Sequence, residues 1–401
     1  MSIAVSILGL AVLIFVHEAG HFFAAISVRM RPRGFSIGFG PALVKVRRRE
    51  IDYAIRAIPL GGYVKIPGMT RPQASDVDAY FGGVVRDAPE LVGPSERLKR
   101  ALVAEDFGLA ANELDAFADA ARDSGIDQKP LNRGVKELGD GLSREAYWRQ
   151  ATWRRVVVIA AGPATNLVFA VLLFAVVFMA AGGKATTTVD EVFAGRPAHE
   201  IGLMPGDRIL SIDGNRVSPS QITEAISSSN GQSLTLVVVR DGQSVTLGPV
   251  SARPDDGVYR LGFRLRAEPL GAGASIWESL VLTGRLMREI GQSLGNIVHK
   301  EGRDQIASPV GIVKESSTAA EAGWESYLAV LAFISLSLAL LNMLPLLPLD
   351  GGHIVFALAE KIRGHAIRRE IYERVSAIGI ALVLLLFFVG LSNDVGRLGG
   401  G

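Results

Sequence analysis

The chain has 401 residues, 49% of them hydrophobic and 20% charged, with a mean hydropathy of +0.30. That is too apolar for an ordinary soluble protein and too charged for one wholly in lipid, so a mixed architecture is expected. A formal net charge of +2 gives no whole-chain signal for nucleic acid or an acidic partner, and the absence of cysteine excludes disulfides and thiolate ligation, leaving His, Asp and Glu to bind any metal.

The first element is an apolar run from Ile3 to Ile26 that contains no Lys, Arg or Asp. It reads as a spanning helix rather than a cleaved leader, since no basic residue precedes it and it is too long for the apolar part of one. Inside it lies His17-Glu18-Ala19-Gly20-His21. On a helix the two histidines project from one face and can converge on one metal ion, with Glu18 beside them to take a proton from water at the metal. A solvated helix face without metal is the plain alternative, but ionisable groups at membrane depth are costly and read as functional. Next, alternation through Ile51, Tyr53 and Ile55 with punctuating glycines predicts strands and turns, which ordinary cytoplasmic hairpins would equally satisfy.

From Asp76 to Glu145 fifteen acidic residues face nine basic ones, a net charge of −6. Helical patterning covers Ser95 to Ala121, with Ser95 as its cap and Glu96 in the first turn. A solvated spacer is the first reading of this stretch, a partner-binding element or a cover over an active-site mouth the second. A second span is predicted at about residues 155–181. Residues 186–267 change to short β-rich runs such as Ser233–Val239 between glycine turns, a compact soluble domain. Residues 273–300 read as an amphipathic helix with Ile276, Leu280, Leu286, Ile290 and Leu294 on its apolar face, lying on the membrane or packed on that domain.

A third span is predicted at about 326–346 and a short fourth at 376–391. Between them stands Asn342-Met-Leu-Pro345-Leu-Leu-Pro348-Leu349-Asp350-Gly351-Gly352-His353, where prolines and glycines predict unwinding and Asp350 is the only acidic residue from Ser326 to Ala359. A proline kink with a paired carboxylate is one reading; Asp350 as third metal ligand is the other. Basic residues cluster between the first two spans (Arg29 to Arg49, Arg154, Arg155) and between the last two (Lys361 to Arg374). The positive-inside rule makes both loops cytoplasmic and both chain ends extracytoplasmic. His21 then lies about 12 Å from Arg29, and Asp350 about 15 Å from Glu360, at helical rise, so the two halves can meet at one depth. His199, His299, His353 and His365 fall outside this site, with His353 a candidate to support it from behind.

His17-Glu18-x-x-His21 together with Asn342-x-x-Pro345-x-x-x-Leu349-Asp350-Gly351 resembles the site-2 protease family of intramembrane zinc metalloproteases, most closely its bacterial PDZ-containing members of the regulator of sigma-E protease type. The resemblance implies zinc on His17, His21 and Asp350, Glu18 as base, and Asn342 as a substrate-holding residue. Phe35–Pro41 with Ile58–Lys65 resembles the family's membrane-associated β-hairpin region. Gly162-Pro163-Ala164-Thr165-Asn166 and Ser308-Pro309-Val310-Gly311-Ile312 resemble further family motifs, the latter without assigned chemistry. Pro197-Ala198 through Gly202-Leu203, Pro205-Gly206-Asp207, Ile209, Ile212 and Gly214 resembles a bacterial PDZ core, a fold that takes an extended peptide or serves as a size gate. The stretch from about Thr70 to Tyr147 departs from the family, whose connection there is much shorter.

The expected fold is a polytopic α-helical membrane protein with four transmembrane helices, a membrane-associated β-hairpin region and a β-rich extracytoplasmic PDZ-like domain. Its expected divisions are 1–69 (first helix and β region), 70–150 (acidic cytoplasmic insertion, partly helical), 151–182 (second helix), 183–268 (PDZ-like domain), 269–323 (amphipathic helix and linker) and 324–401 (third and fourth helices). The expected function is an intramembrane zinc endopeptidase of the bacterial plasma membrane, acting from the cytoplasmic side on a single-pass membrane protein such as an anti-sigma factor. Membrane lipid and a peptide at the PDZ-like domain complete the expected partners, with no nucleic acid. The competing readings are a proteolytically inactive membrane-anchored PDZ scaffold and a zinc-dependent membrane transporter.

Overall fold

The computed structural model of the protein describes residues 2–255, 257–296 and 308–399. The chain divides into two compact units, Met1–Ala170 with Leu286–Gly401, and Val171–Arg285. Four helices among the described residues are long and apolar enough to cross a membrane: Ser2–Ser27, Thr152–Gly182, Trp324–Asn342 and Arg369–Asp394. The third stops at Asn342, earlier than hydropathy suggests, because Pro345 and Pro348 cannot continue a helix. The fourth begins earlier than expected, its first turns carrying Arg369, Glu370 and Glu373.

Helix α1 (Ser2–Ser27) packs closely on its neighbours through glycine. A β-carbon at Gly20 would come 2.5 Å from the Ala161 carbonyl oxygen, and one at Gly9 would overlap the Tyr327 hydroxyl. In lipid, where apolar side chains gain nothing by leaving the solvent, such small residues let helices gain contact by close approach. Strands β1 (Gly34–Arg48) and β2 (Ile51–Lys65) follow. Both fold back on themselves: Gly34–Ile37 pair with Asp52–Ile55 on one side and with Gly62–Lys65 on the other, while Ala42–Arg48 pair with Ile51–Arg56. The result is four runs, with 34–37 and 52–55 side by side in parallel register at the centre and 42–48 and 58–65 antiparallel to them at the edges. Arg56 pins the fold-back, donating to Ser36 Oγ at 2.8 Å, the Gly40 carbonyl at 2.7 Å and the Tyr63 hydroxyl at 2.7 Å.

The acidic insertion is a packed helical domain, which corrects its reading as a solvated spacer. Helices α2 (Ala74–Asp87), α3 (Val92–Val103), α4 (Phe107–Asp123) and α5 (Gln128–Leu142) enclose a core that includes Val77, Phe81, Leu98, Leu114, Phe117 and Leu138. The expected single helix from Ser95 is two. Glu105 adopts φ of 57°, and Asp106 restarts the helix by accepting from Leu109 N at 2.9 Å. Ser95 is no cap but sits inside α3, buried, its hydroxyl donating to the Val92 carbonyl. The acidic charge is spent on basic residues of neighbouring segments: Glu145 meets Arg31, Asp140 meets Arg33, Glu137 meets Lys65, and Asp76 meets Arg369. Phe81 and Phe117 are fully buried with centroids 4.7 Å apart, so Phe117→Ala should cost about 3–5 kcal/mol. Limited proteolysis should then cut within residues 74–142 far faster while sparing the spanning helices.

Helix α6 (Thr152–Val177) carries the chain from the first unit into the second. The second unit is built on a sheet of strands β3 (Lys184–Val192), β4 (Arg208–Ile212), β6 (Ser233–Arg240), β7 (Gln243–Ser251) and β10 (Phe263–Glu268), in the order β10-β3-β4-β6-β7. Between them lie the short helix α7 (Pro197–Glu200), strand β5 (Asn215–Arg216), helix α8 (Pro219–Ser228) and the small hairpin of β8 (Arg253–Asp255) and β9 (Val258–Arg260). Leu203, Ile209, Ile212, Ile222, Leu236 and Val238 fill its core.

Asp207 is buried beneath that sheet. It accepts from Arg240 Nε at 2.8 Å, Arg240 Nη2 at 2.7 Å and Met204 N at 2.8 Å. Burial opposes its charge, but the Arg240 pair and the Met204 amide outweigh that and hold its carboxyl below the usual range. A depressed carboxyl contributes stability that is complete above the ordinary carboxylate range and is lost as pH falls through the lowered folded value. Asp207→Ala should cost the unit about 2–3 kcal/mol at neutral pH and flatten its acid transition, read by hydrogen exchange across residues 184–268.

Helix α9 (Ala272–Asn296) leaves part of its predicted apolar face exposed. Ser275, Ser279 and Thr283, three successive i+4 positions, are buried, while Ile276 and Leu280 are exposed. Ser279 donates to the Ser275 carbonyl at 2.6 Å and Ser275 to the Leu270 carbonyl at 3.2 Å, while Thr283 Oγ1 is buried without a hydrogen-bond partner. The side chain of Leu294 and all of His299 lie outside the described residues. Helix α10 (Pro309–Ala322) starts at the Ser308-Pro309-Val310-Gly311 motif, whose role is a helix cap. Ser308 Oγ accepts from Val310 N, and Asp394 Oδ2 accepts from Ser308 N at 2.8 Å and Gly311 N at 3.1 Å. Helix α11 (Trp324–Asn342), a turn through Leu349, α12 (Asp350–Arg363) and α13 (Arg369–Gly399) complete the chain.

Candidate metal centre

Three elements meet at the centre. Helix α1 presents His17 and His21 one turn apart, with their Nε2 atoms 3.2 Å from one another. Asp350, the first residue of α12, points Oδ2 at both, 3.3 Å from His17 Nε2 and 3.4 Å from His21 Nε2. Helix α6 forms the wall behind them. Its Gly162 leaves the room the imidazoles occupy, since a β-carbon there would overlap His21 Nε2 and lie 2.9 Å from His17 Cε1.

The Asp-Gly-Gly sequence has a steric reason. After Asn342 the chain turns tightly through Pro345 and Pro348 and lays its carbonyls against the first turn of α12. A β-carbon at Gly351 would be 2.5 Å from the Met343 carbonyl carbon, and one at Gly352 would be 2.5 Å from Leu347 N. Only glycine lets this turn close over the helix start and aim Asp350 inward. Gly379 of α13 continues the same packing, because a β-carbon there would overlap the Leu347 carbonyl oxygen. Arg155 of α6 and Glu360 of α12 are joined at 2.7 Å, fixing the two helices further along.

The donor set fits a zinc ion. A tetrahedral zinc with ligand distances of about 2.0–2.1 Å separates its donors by roughly 3.3 Å, and the three observed separations of 3.2, 3.3 and 3.4 Å match. Asp350 Oδ2 is buried and accepts no hydrogen bond, the state of an oxygen aimed at a cation rather than at an N–H. His21 Nδ1 lies 2.8 Å from the Val158 carbonyl, which can only accept. The neutral ring therefore carries its proton on Nδ1 and turns the Nε2 lone pair toward the cluster. Among the described residues this is the only group of three or more His, Asp or Glu side chains with metal-binding spacing.

Glu18 is buried beside the cluster without belonging to it. It packs on the β-sheet edge, where a β-carbon at Gly62 would be 2.8 Å from Glu18 Cγ and 2.7 Å from the Ser36 carbonyl oxygen. The edge run 58–65 therefore passes the carboxylate. Asn342 ends α11, half-buried, and is not part of the three-residue cluster. His353 faces elsewhere, with Nδ1 2.7 Å from the Tyr372 hydroxyl, so the support behind the histidines comes from other residues. Sequence reasoning missed two of them, Val158 and Asn166, the second fully buried with Nδ2 3.4 Å from His17 Nδ1. Their signal was the i, i+4, i+8 spacing of Val158, Gly162 and Asn166 on one face of α6. Thr165, from the same motif, sits with Oγ1 3.1 Å from the Val16 carbonyl of α1.

A model of peptidase family M50 matches residues 5–386. The zinc metalloprotease RasP of Bacillus licheniformis is 29% identical over 408 residues, covering 96% of this chain and 96% of its own. The regulator of sigma-W protease RasP of Bacillus subtilis is 28% identical over 408 residues, with the same 96% of each chain covered. Family match and apolar helices agree with a cluster of metal-binding spacing, two of whose three side chains stand on the first of those helices: the chain belongs to peptidase family M50 and is a zinc-dependent intramembrane metalloprotease.

Proposed function

We propose that this enzyme cleaves a peptide bond within the transmembrane segment of a single-pass membrane protein, with zinc held by His17, His21 and Asp350. The observation that carries the reading is the convergence of two imidazoles and one carboxylate, from segments more than 300 residues apart in sequence, at donor spacings a single zinc ion requires. Zinc supplies a Lewis acid that acidifies a water and polarises the scissile carbonyl. Glu18, packed beside Gly62, takes the proton of the attacking water and passes it to the leaving amine. Asn342 hydrogen-bonds the substrate backbone. The edge run 58–65 pairs with an unwound stretch of substrate and holds it past Glu18. Unwinding is required because every carbonyl of an intact helix is already bonded.

The basic residues flanking the spans support an orientation with residues 29–154 and 361–374 in the cytoplasm and both chain ends and residues 182–323 outside. The site then opens toward the cytoplasm, below the helical insertion. The second unit acts as a PDZ-like domain. A cavity of about 900 Å³ runs between α8, with Ile222, Thr223 and Ile226, and the segment Tyr259–Leu265, the arrangement in which an extended chain end is added as a strand. The name of the Bacillus subtilis relative, a regulator of sigma-W protease, supports an anti-sigma factor as substrate.

Comparative membrane proteomics of wild-type and Glu18→Gln cells tests the reading. Truncated single-pass proteins should accumulate only in the variant, and the bonds cut by the wild type should lie inside their spanning segments. Cleavage confined to sites outside the spans, or a proteome that does not change, would refute it.

A further inference from the structure

The two zinc-binding histidines differ in how their far nitrogens are held. Behind His21 stands a backbone carbonyl, which fixes the ring by accepting from Nδ1–H. Behind His17 stands the carboxamide of Asn166, oriented with its Nδ2 3.4 Å from His17 Nδ1. In that orientation two groups conflict. The amide nitrogen is a donor, so His17 Nδ1 would have to be unprotonated and the ring proton would sit on Nε2, pointing at Asp350 and His21 instead of a lone pair. Meanwhile Asn166 Oδ1 is left buried with no hydrogen-bond partner, in a residue with no exposure to solvent.

The tautomer conflict vanishes if the carboxamide is turned by 180°. The oxygen and nitrogen of an amide occupy nearly equivalent positions and are assigned from their hydrogen bonds. Turned, Oδ1 faces His17 Nδ1 and accepts a hydrogen bond from it, Nε2 offers a lone pair, and the buried position without a partner is held by Nδ2 instead of the acceptor. We infer that Asn166 is a positioning residue for the metal: its side-chain oxygen holds His17 in the Nδ1–H tautomer and fixes the plane of the ring. The amide sits firmly enough to do this. Its backbone carbonyl accepts from Ser335 Oγ of α11 at 2.9 Å, and the neighbouring Thr165 ties α6 to the α1 backbone at Val16. Val158, Gly162 and Asn166 thus form one functional stripe, acceptor, gap and acceptor, two helical turns long, facing the HExxH helix. A neutral acceptor has a chemical consequence. An amide orients the imidazole without adding a third carboxylate to a site that already holds Asp350 and Glu18 in a low-dielectric setting.

The inference rests on the zinc assignment to His17, His21 and Asp350, and the test separates the two. Zinc affinity of the full-length protein in detergent is measured by competition with a chromogenic chelator for wild type, Asn166→Leu, Asn166→Asp and Asp350→Ala. Asn166→Leu, which keeps the volume and removes the acceptor, should weaken zinc binding about 10- to 100-fold. Asn166→Asp, which keeps an acceptor, should remain within about threefold of wild type. Asn166→Leu binding as tightly as wild type, or Asn166→Asp failing as badly as Asn166→Leu, overturns the positioning role. Undiminished zinc binding by Asp350→Ala would instead overturn the ligand set beneath it. A measurement on the unmutated protein guards against misfolded variants: with histidine labelled with nitrogen-15 and zinc bound, His17 must show a protonated Nδ1. A proton on Nε2 refutes the inference outright.

Discussion

Glu18→Gln is expected to retain one zinc per chain and to lose cleavage by about 10²–10⁴-fold, a barrier increase of roughly 3–5 kcal/mol. The two parts of this expectation come from separate observations. Zinc should stay because Glu18 is not one of the three donors that converge, and because glutamine has the same shape and can keep its packing against Gly62. Rate should fall because an amide cannot accept the proton of the attacking water. Purified protein, a membrane-embedded reporter and metal analysis of the same sample suffice to measure both. A variant that cuts within threefold of wild type would move the base elsewhere, and one that arrives without zinc would make Glu18 a ligand. The inactive scaffold and the zinc transporter, as readings of this chain, both require that wild type and variant cleave equally, or not at all.

Gly162→Ala should weaken zinc binding by on the order of 10–100-fold or more at a site where no ligand has been changed. The added carbon would overlap His21 Nε2 and come within 2.6 Å of His21 Cε1 and 2.9 Å of His17 Cε1. The rings have little room to retreat, since His21 is held by the Val158 carbonyl and α1 is pressed against α6 at Gly20. Overpacking of this kind costs about 1–3 kcal/mol, small enough for a four-helix membrane protein to fold around, but it displaces donors whose spacing must hold to a few tenths of an ångström. Zinc affinity should therefore fall by on the order of 10–100-fold or more, with the helix content unchanged. Gly82→Ala is the matched control. It lies in α2 with nothing within 4 Å of the added carbon, and should leave zinc and cleavage at wild-type levels. Equal zinc affinity in Gly162→Ala and wild type would show that α6 is not the wall of the site.

The parts of this site that were legible from sequence are those that chemistry writes into residue type. His17, Glu18 and His21 are costly at membrane depth, and Asp350 is an isolated acid among prolines and glycines, so each announces itself without knowledge of its neighbours. The acceptors behind the histidines do not. Val158 contributes only a backbone carbonyl, and Asn166 is ordinary until α6 is known to lie against α1. The Ser308 motif was visible but mute for the same reason, since the carboxylate it meets, Asp394, lies 86 residues away.

Two other segments turn on what surrounds them. In α9 Ile276 and Leu280 of the predicted apolar face are exposed, which agrees with the reading of that helix as one lying on a membrane surface. In the insertion, high acidity suggested solvation, whereas the carboxylates pair with Arg31, Arg33, Lys65 and Arg369 over an ordinary apolar core. Net charge describes a segment in isolation, and here the compensating cations belong to other segments.

X-ray absorption at the zinc edge, on wild type and on Asp350→Ala, bears most directly on the claim that remote parts of the chain share one ion. Wild type should show two imidazoles and a carboxylate oxygen at about 2.0–2.1 Å, and the variant should lose the carboxylate scatterer and bind zinc at least about tenfold more weakly. A coordination shell identical in the two proteins would mean that Asp350 does not hold the metal, and the account of catalysis would fail with it.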